Sequence, residues 1–255
     1  MGGGMSKIVP GIFVGGLTSA KSKQHMDQHG ITHVCTVLHQ NVEVPSRKQI
    51  IFEADDSPSE NLSRYFEDAC FFIHEARVSG GSVLIHCACG VSRSVTITLA
   101  YLLVVTDFSL ADLFKAVQGA RHCACPNQGF IQQLSDFEKS GAQSVREKLF
   151  ARFGEWPTEK RTADKAALNE ALEIQEYFIL HGEYPGEKSL ANADEDGLGA
   201  QGKAIIETKP PAVHPLSSTM FTVYSNGKPR DLSEYIANRY SAGNQAVDDD
   251  DTQTS

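Results

Sequence analysis

Cys87 and Arg93 are separated by five residues, Ala88, Cys89, Gly90, Val91 and Ser92, with His86 before them and Ser94 after. These types at this spacing suit chemistry on an anion. The thiolate is the nucleophilic form of cysteine, and it is favoured where a helix N-terminus or a guanidinium faces the sulfur. An arginine one short loop away can hold two oxygens of a phosphate in its planar fork. The reaction that uses both groups is attack by sulfur on phosphorus. The leaving oxygen then needs a proton, for which a carboxylic acid is the economical donor. Asp56 and its neighbour Asp55 are the candidates.

Positioning these groups requires a strand, a tight loop and a helix. The apolar run Ser82-Val83-Leu84-Ile85 reads as the strand, and Val95 to Leu103 as the body of a helix over 92–105. In such a loop successive N–H groups turn inward and the helix aims its positive end at the same point, making an anion cradle. The other reading, a buried strand with a free cysteine, does not account for a loop and helix start around both Cys87 and Arg93. Ser94 is placed to donate a hydrogen bond to the departing thiolate.

The remaining pattern supplies the frame. A short strand pair surrounds the Pro10-Gly11 turn, a helix is predicted over 18–28, and strands over 31–38 and 49–54. Ser57-Pro58-Ser59-Glu60 reads as a helix start, leading into a helix whose core face carries Leu62, Tyr65, Phe66, Ala69, Phe72, Ile73 and Ala76. His74 on that helix is expected at the surface or an interface. Further helices are predicted over 109–121 and 127–139. Strands alternating with helices imply right-handed crossovers and an α/β layered domain, a central twisted, mostly parallel sheet flanked by helices. Ligands in such sheets sit at the carboxyl ends of strands, where Asp56 and Cys87 both fall.

His-Cys-x5-Arg-Ser resembles the signature of the protein tyrosine phosphatase superfamily, and Gly90-x-Ser92-Arg93-Ser94 resembles its dual-specificity branch. The resemblance spans roughly 8–153 and implies a protein tyrosine phosphatase-like fold and turnover through a cysteinyl phosphate, with no cofactor and no metal. It favours Asp56 over Asp55, because Asp56-Ser57-Pro58-Ser59-Glu60 is similar to the family's acid segment. It implies that His86 supports the loop and the Cys87 environment. Pro126-Asn127-x-Gly129-Phe130 resembles a family segment in which Asn127 supports the phosphate loop. The loop carries no lysine to meet the extra phosphates of an inositol lipid, which points to phosphoprotein substrates, signalling kinases among them. The chain ahead of Asp56 is too short for a long tyrosine-selective segment, so phosphotyrosine and phosphoserine or phosphothreonine are both expected to enter. The alternative class is a phosphoprotein-binding scaffold with little turnover.

Composition narrows the rest. The chain has 255 residues and a formal charge of -9, with no aromatic-basic interleaving, which excludes a nucleic-acid surface. No apolar run reaches the ~18 residues of a membrane span and no secretory pattern opens the chain, so a cytoplasmic protein is expected. Met1-Gly2-Gly3-Gly4-Met5-Ser6 fits an N-myristoylation pattern on Gly2, the alternative being a flexible start ahead of Met5. A small myristoylated subgroup of dual-specificity phosphatases begins similarly, which implies reversible contact with the inner face of the plasma membrane. One acyl chain gives only marginal binding.

Among six cysteines, Cys35 and Cys70 lie in apolar segments and read as buried free thiols. Cys89 raises redox control of Cys87, but an i,i+2 pair gives poor disulfide geometry and a small loop residue is the preferred reading. His122-Cys123-Ala124-Cys125 repeats His86 to Cys89; Gly129 stands where an arginine would be needed, so the repeat reads as coincidence. A zinc site on Cys87, Cys89, Cys123 and Cys125 has the wrong spacing. The organisation expected is a catalytic domain over 6–155, a helical extension over 156–184 carrying a helix over 164–180, and an acidic, largely disordered tail over 185–255, with one short helix over 231–240.

Overall fold

The computed structural model describes residues 4–40 and 42–185, and the backbone of 222–225 and 228–231. Five strands, β1 (Ser6–Val9), β2 (Ile12–Gly15), β3 (Ile31–Val37), β4 (Lys48–Phe52) and β5 (Ser82–His86), form one sheet in the order β1-β2-β5-β3-β4. Only the β1–β2 hairpin is antiparallel; β2, β5, β3 and β4 run parallel, with β5 at the centre. Near-continuous apolar strands are what a parallel sheet covered on both faces requires, and Val83, Leu84 and Ile85 are fully buried.

Helices α1 (Leu17–Lys21), α2 (Lys23–Gln28), α3 (Phe66–Val78), α4 (Arg93–Val105), α5 (Leu110–Ala120), α6 (Gln128–Ser140), α7 (Ala142–Phe153) and α8 (Thr158–His181) cover it. All thirteen residues of α4 are buried, so the helix that begins after the loop following β5 runs through the middle of the core. Cys35 and Cys70 are buried thiols that burial pushes well above the usual range.

Three local expectations change. The helix predicted over 18–28 is two short helices, because the Ser22 hydroxyl caps the second by accepting from His25 N–H. The Ser57 helix start is a turn, closed by Glu60 N–H on Ser57 O at 3.1 Å. The helix begins after a 3-10 turn at Ser63–Tyr65, where the Gln133 side chain on α6 caps the N–H groups of Leu62 and Ser63 at 2.8 and 2.9 Å. His74 is fully buried, not at the surface. Its Nδ1 meets the Tyr101 hydroxyl at 3.0 Å, its ring packs on Phe153 and Trp156, and burial, Arg77 and Lys160 push it down to about 4. Helix α7, which the sequence reading passed over, continues from α6 after Gly141.

Helix α8 packs on the domain. Asp164 reaches Arg77 on α3 at 2.5 Å, and Trp156 Nε1 donates to the other Asp164 oxygen at 3.0 Å. In the tail, β6 (Thr222–Ser225) and β7 (Lys228–Asp231) pair antiparallel, so Asp231 ends a strand and does not start a helix. The rest of the expected disorder and of the 231–240 helix lies outside the described residues, as does Gly2.

Candidate active site

The loop that follows β5 is shaped from outside. Each carbonyl from Cys87 to Val91 is gripped by a donor behind it: His86 Nδ1 on Cys87 O at 3.3 Å, Leu17 N–H on Ala88 O at 2.9 Å, Arg121 Nη2 on Cys89 O at 3.2 Å, Arg121 Nε on Gly90 O at 2.6 Å, and Cys125 N–H on Val91 O at 2.8 Å. No peptide is cis, and in a planar trans unit the N–H points opposite to the C=O. The amides of Ala88, Cys89, Gly90, Val91 and Ser92 are thereby turned to the inner side, a concave set of donors suited to an anion. Gly90 has φ +72°, and a Cβ there would stand 2.5 Å from the Gly15 carbonyl carbon, so only glycine fits.

Cys87 is buried at the base of this loop, with Sγ 3.2 Å from Gly90 N and 3.3 Å from Ser94 Oγ. Burial by itself pushes the thiol up. The Ser94 hydroxyl, the Ser94 N–H, the Arg93 charge and the Gly90 N–H outweigh it and hold Cys87 below the ordinary thiol value.

Arg93 opens α4 and its Nη1 donates to Ala54 O at 2.9 Å. Its Nε stands 3.6 Å from Asp56 Oδ2 and makes no hydrogen bond. Asp56 Oδ1 accepts from Ser92 Oγ at 2.6 Å and from Asn127 Nδ2 at 3.0 Å. Asp55 faces away, its carboxylate 3.4 Å from His39 Nδ1 in an exposed pair. Of the two neighbouring aspartates, Asp56 alone joins the Arg93 group.

Asn127 does two things: its N–H donates to Ser92 Oγ at 3.1 Å, and its side chain holds Asp56 while Oδ1 caps Phe130 N–H on α6. Its side-chain contact is thus with the carboxylate, and it reaches the loop only through Ser92. His86 is fully buried, and burial lowers it against the opposing pull of Cys87 O. A carbonyl can only accept, so Nδ1 carries the proton and Nε2 accepts from Thr36 Oγ1 at 2.8 Å; Gln49 Nε2 in turn donates to Thr36 at 2.8 Å. This chain crosses β5, β3 and β4 beneath the loop.

Thr36, Gln49 and Arg121 had no signal in the sequence, because each acts across strands or loops far apart in the chain; Gln133 lies in the segment that begins at Pro126, but its capping of Leu62 and Ser63 was not legible there. The repeat at His122 to Cys125 is not a second cradle; it lies on the back of the first, with Cys125 N–H on Val91 O. Cys89 is exposed while Cys87 is buried. Among the described residues no group of three or more His, Cys, Asp or Glu could hold a metal ion, and no helix is long and apolar enough to cross a membrane.

A parallel α/β sheet whose central strand delivers a Cys-x5-Arg loop to the N-terminus of a buried helix defines the protein tyrosine phosphatase superfamily. Residues 12–140 match the dual specificity phosphatase catalytic domain, and the chain belongs to that family. It is 42% identical over 159 residues to dual specificity protein phosphatase 22 of Homo sapiens, covering 62% of this chain and 86% of that one. It is 36% identical over 160 residues to dual specificity protein phosphatase 15 of Mus musculus, covering 62% and 67%. Among solved structures it is similar to DUSP15, with a TM-score of 0.59 at 33% identity over 61% of this chain and all of that one. The protein is a protein phosphatase of the dual-specificity class, acting on phosphoproteins.

Proposed function

We propose that Cys87 attacks the phosphorus of a phosphotyrosine, phosphoserine or phosphothreonine side chain. An S–P bond forms as the P–O bond to the side chain breaks, and Asp56 gives its proton to the leaving oxygen. The inward amides of Ala88 to Ser92 and the Arg93 guanidinium hold the three equatorial oxygens. Water then attacks phosphorus, Asp56 takes its proton, and Ser94 donates to the departing thiolate. His86 fixes the peptide at the loop entrance. The observation that carries this reading is Cys87 Sγ buried between the Gly90 N–H and the Ser94 hydroxyl, with its thiolate favoured despite the burial.

The test sets wild type against Cys87→Ser, Asp56→Asn and Asp55→Asn. Cys87→Ser is expected to lose turnover on phosphopeptides and to give no thiophosphate-linked phosphoenzyme on rapid quench; turnover in that variant overturns the mechanism. Asp56→Asn is expected to lose ~100-fold or more on esters with poor leaving groups and little on dinitrophenyl phosphate, which needs no proton. Asp55→Asn should match wild type on both.

The uncharged side chains of Ala88, Cys89, Gly90 and Val91 support phosphoproteins, signalling kinases included, over inositol lipids. The opening Met1 to Ser6 pattern supports a myristoyl group on Gly2 and cytoplasmic protein in reversible contact with the plasma membrane. Metabolic labelling with a myristate analogue, lost in Gly2→Ala, is the expected result.

A further inference from the structure

Arg121 follows α5, is 4% exposed, and takes no part in the chemistry above. Among the described residues its hydrogen bonds all go to oxygens without formal charge: Gly90 O, Cys89 O, Ser6 Oγ at 3.2 Å and Gly4 O at 3.4 Å. Burying a cation on such partners costs more than burying an apolar side chain of the same size, so packing alone does not explain it.

The peptide unit between Cys89 and Gly90 supplies an explanation. Its oxygen is held by Arg121 Nη2 on the outside at 3.2 Å, and its N–H meets Cys87 Sγ on the inside, also at 3.2 Å. The two ends of one rigid plane are therefore occupied by the guanidinium and the sulfur. The next unit, Gly90 to Val91, has its oxygen on Arg121 Nε, which turns the Val91 N–H to the inner side. A planar fork of fixed geometry sets both planes together. Its charge at the oxygen end also polarises each amide and strengthens the N–H as a donor. No side chain intervenes, since a Cβ on Gly90 would stand 2.5 Å from Arg121 Nη2. The far side of the guanidinium rests on Ser6 and Gly4, at the start of β1.

We propose that Arg121 is a positioning residue for catalysis: it sets the two peptide planes that aim the Gly90 and Val91 N–H groups at the Cys87 sulfur and the bound phosphoryl group, with residues 4–6 fixing its outer side. The proposal rests on Cys87 being the nucleophile.

The experiment uses the full chain as wild type, Arg121→Lys, which keeps the charge without the fork, and Arg121→Gln. Orthovanadate is the oxyanion probe, and alkylation of Cys87 by iodoacetamide, followed by peptide mass spectrometry, reports the thiolate. Per folded molecule, both variants are expected to bind orthovanadate ~10-fold or more weakly. Their alkylation midpoint should move to higher pH, while the leaving-group dependence stays that of wild type because Asp56 is untouched. Lower melting temperature with unchanged orthovanadate affinity and unchanged alkylation midpoint marks a packing role and overturns the proposal. In the wild-type chain, without any variant, the Arg121 Nε–H resonance is expected to move on saturation with orthovanadate; a resonance that stays in place overturns it as well. Failure of the nucleophile assignment shows separately, as turnover by Cys87→Ser.

Discussion

Cys87 is buried, and burial opposes a thiolate; four groups within the loop and the first turn of α4 reverse the outcome. Cys87 is therefore expected to alkylate at lower pH than a free cysteine, whose pKa is about 8.5. In Ser94→Ala the leading stabilising contact disappears, so the pH midpoint of Cys87 alkylation is expected to rise, with slower hydrolysis of the phosphoenzyme measured after a rapid quench. Gly90 carries a second residue-scale requirement. Gly90→Ala meets both a left-handed backbone and the Gly15 carbonyl carbon at 2.5 Å, and is expected to lose at least ~1–3 kcal/mol in urea melts and most of its orthovanadate affinity. Cys87, Arg93 and Ser94 were legible in the chain because three residues within eight positions carry their own loop and helix. Arg121 was not, because the carbonyls it holds lie some thirty residues away.

At the scale of elements, two helices approach other backbone so closely that a glycine decides the fit. Replacing glycine by alanine inside a helix ordinarily gains up to ~1 kcal/mol. At Gly119 on α5, however, a Cβ would stand 1.9 Å from Ala171 O on α8, a clash between two backbones that no rotamer relieves. Gly119→Ala is therefore expected to lower the urea midpoint, against the helix propensity scale. At Gly129 on α6 the added Cβ would meet Pro58 O at 2.0 Å, in the turn that follows Asp56. If Asp56 is the acid as proposed, Gly129→Ala should slow poor leaving groups more than dinitrophenyl phosphate. The turn after Asp56 also shows why local reading stopped short: Ser57-Pro58-Ser59-Glu60 is a sound helix start by itself. Gln133 and Gly129, seventy residues on, draw that stretch onto α6 instead.

At the scale of the molecule, α8 is tied to the domain through one buried polar cluster. Arg77 donates to Pro10 O, Tyr101 Oη and Asp164; Asp164 also accepts from Trp156; and Lys160 Nζ reaches Arg77 O at 3.1 Å. We infer that 6–184 folds as one unit, the extension being part of the catalytic domain. Asp164→Ala leaves the Arg77 charge buried without its carboxylate and is expected to cost ~3–5 kcal/mol in urea melts, while a chain ending at 155 should melt well below wild type. His74 adds a pH term. It sits near 4 in the fold against about 6.5 in an unfolded chain, so between pH 6.5 and pH 4 the unfolded chain takes up a proton that the folded one does not. Stability is expected to fall through that window, and His74→Phe, which keeps the ring among Phe153 and Trp156, should flatten the slope of melting temperature against pH.

The chain by itself determined the Cys87 to Arg93 loop, the strand before it, the helix after it and the mostly parallel α/β class, since strand and helix periodicity and a short loop are local properties. It also offered two adjacent aspartates as the proton donor, of which the family resemblance favoured Asp56. The tertiary structure sets the two apart, placing Asp55 on His39 and Asp56 on Ser92 and Asn127. It likewise moved His74 from an expected surface or interface position to the core and gave Asp164 a buried cation. These outcomes depend on which distant donor or charge faces a group, and such contacts form only when the whole chain closes around the sheet.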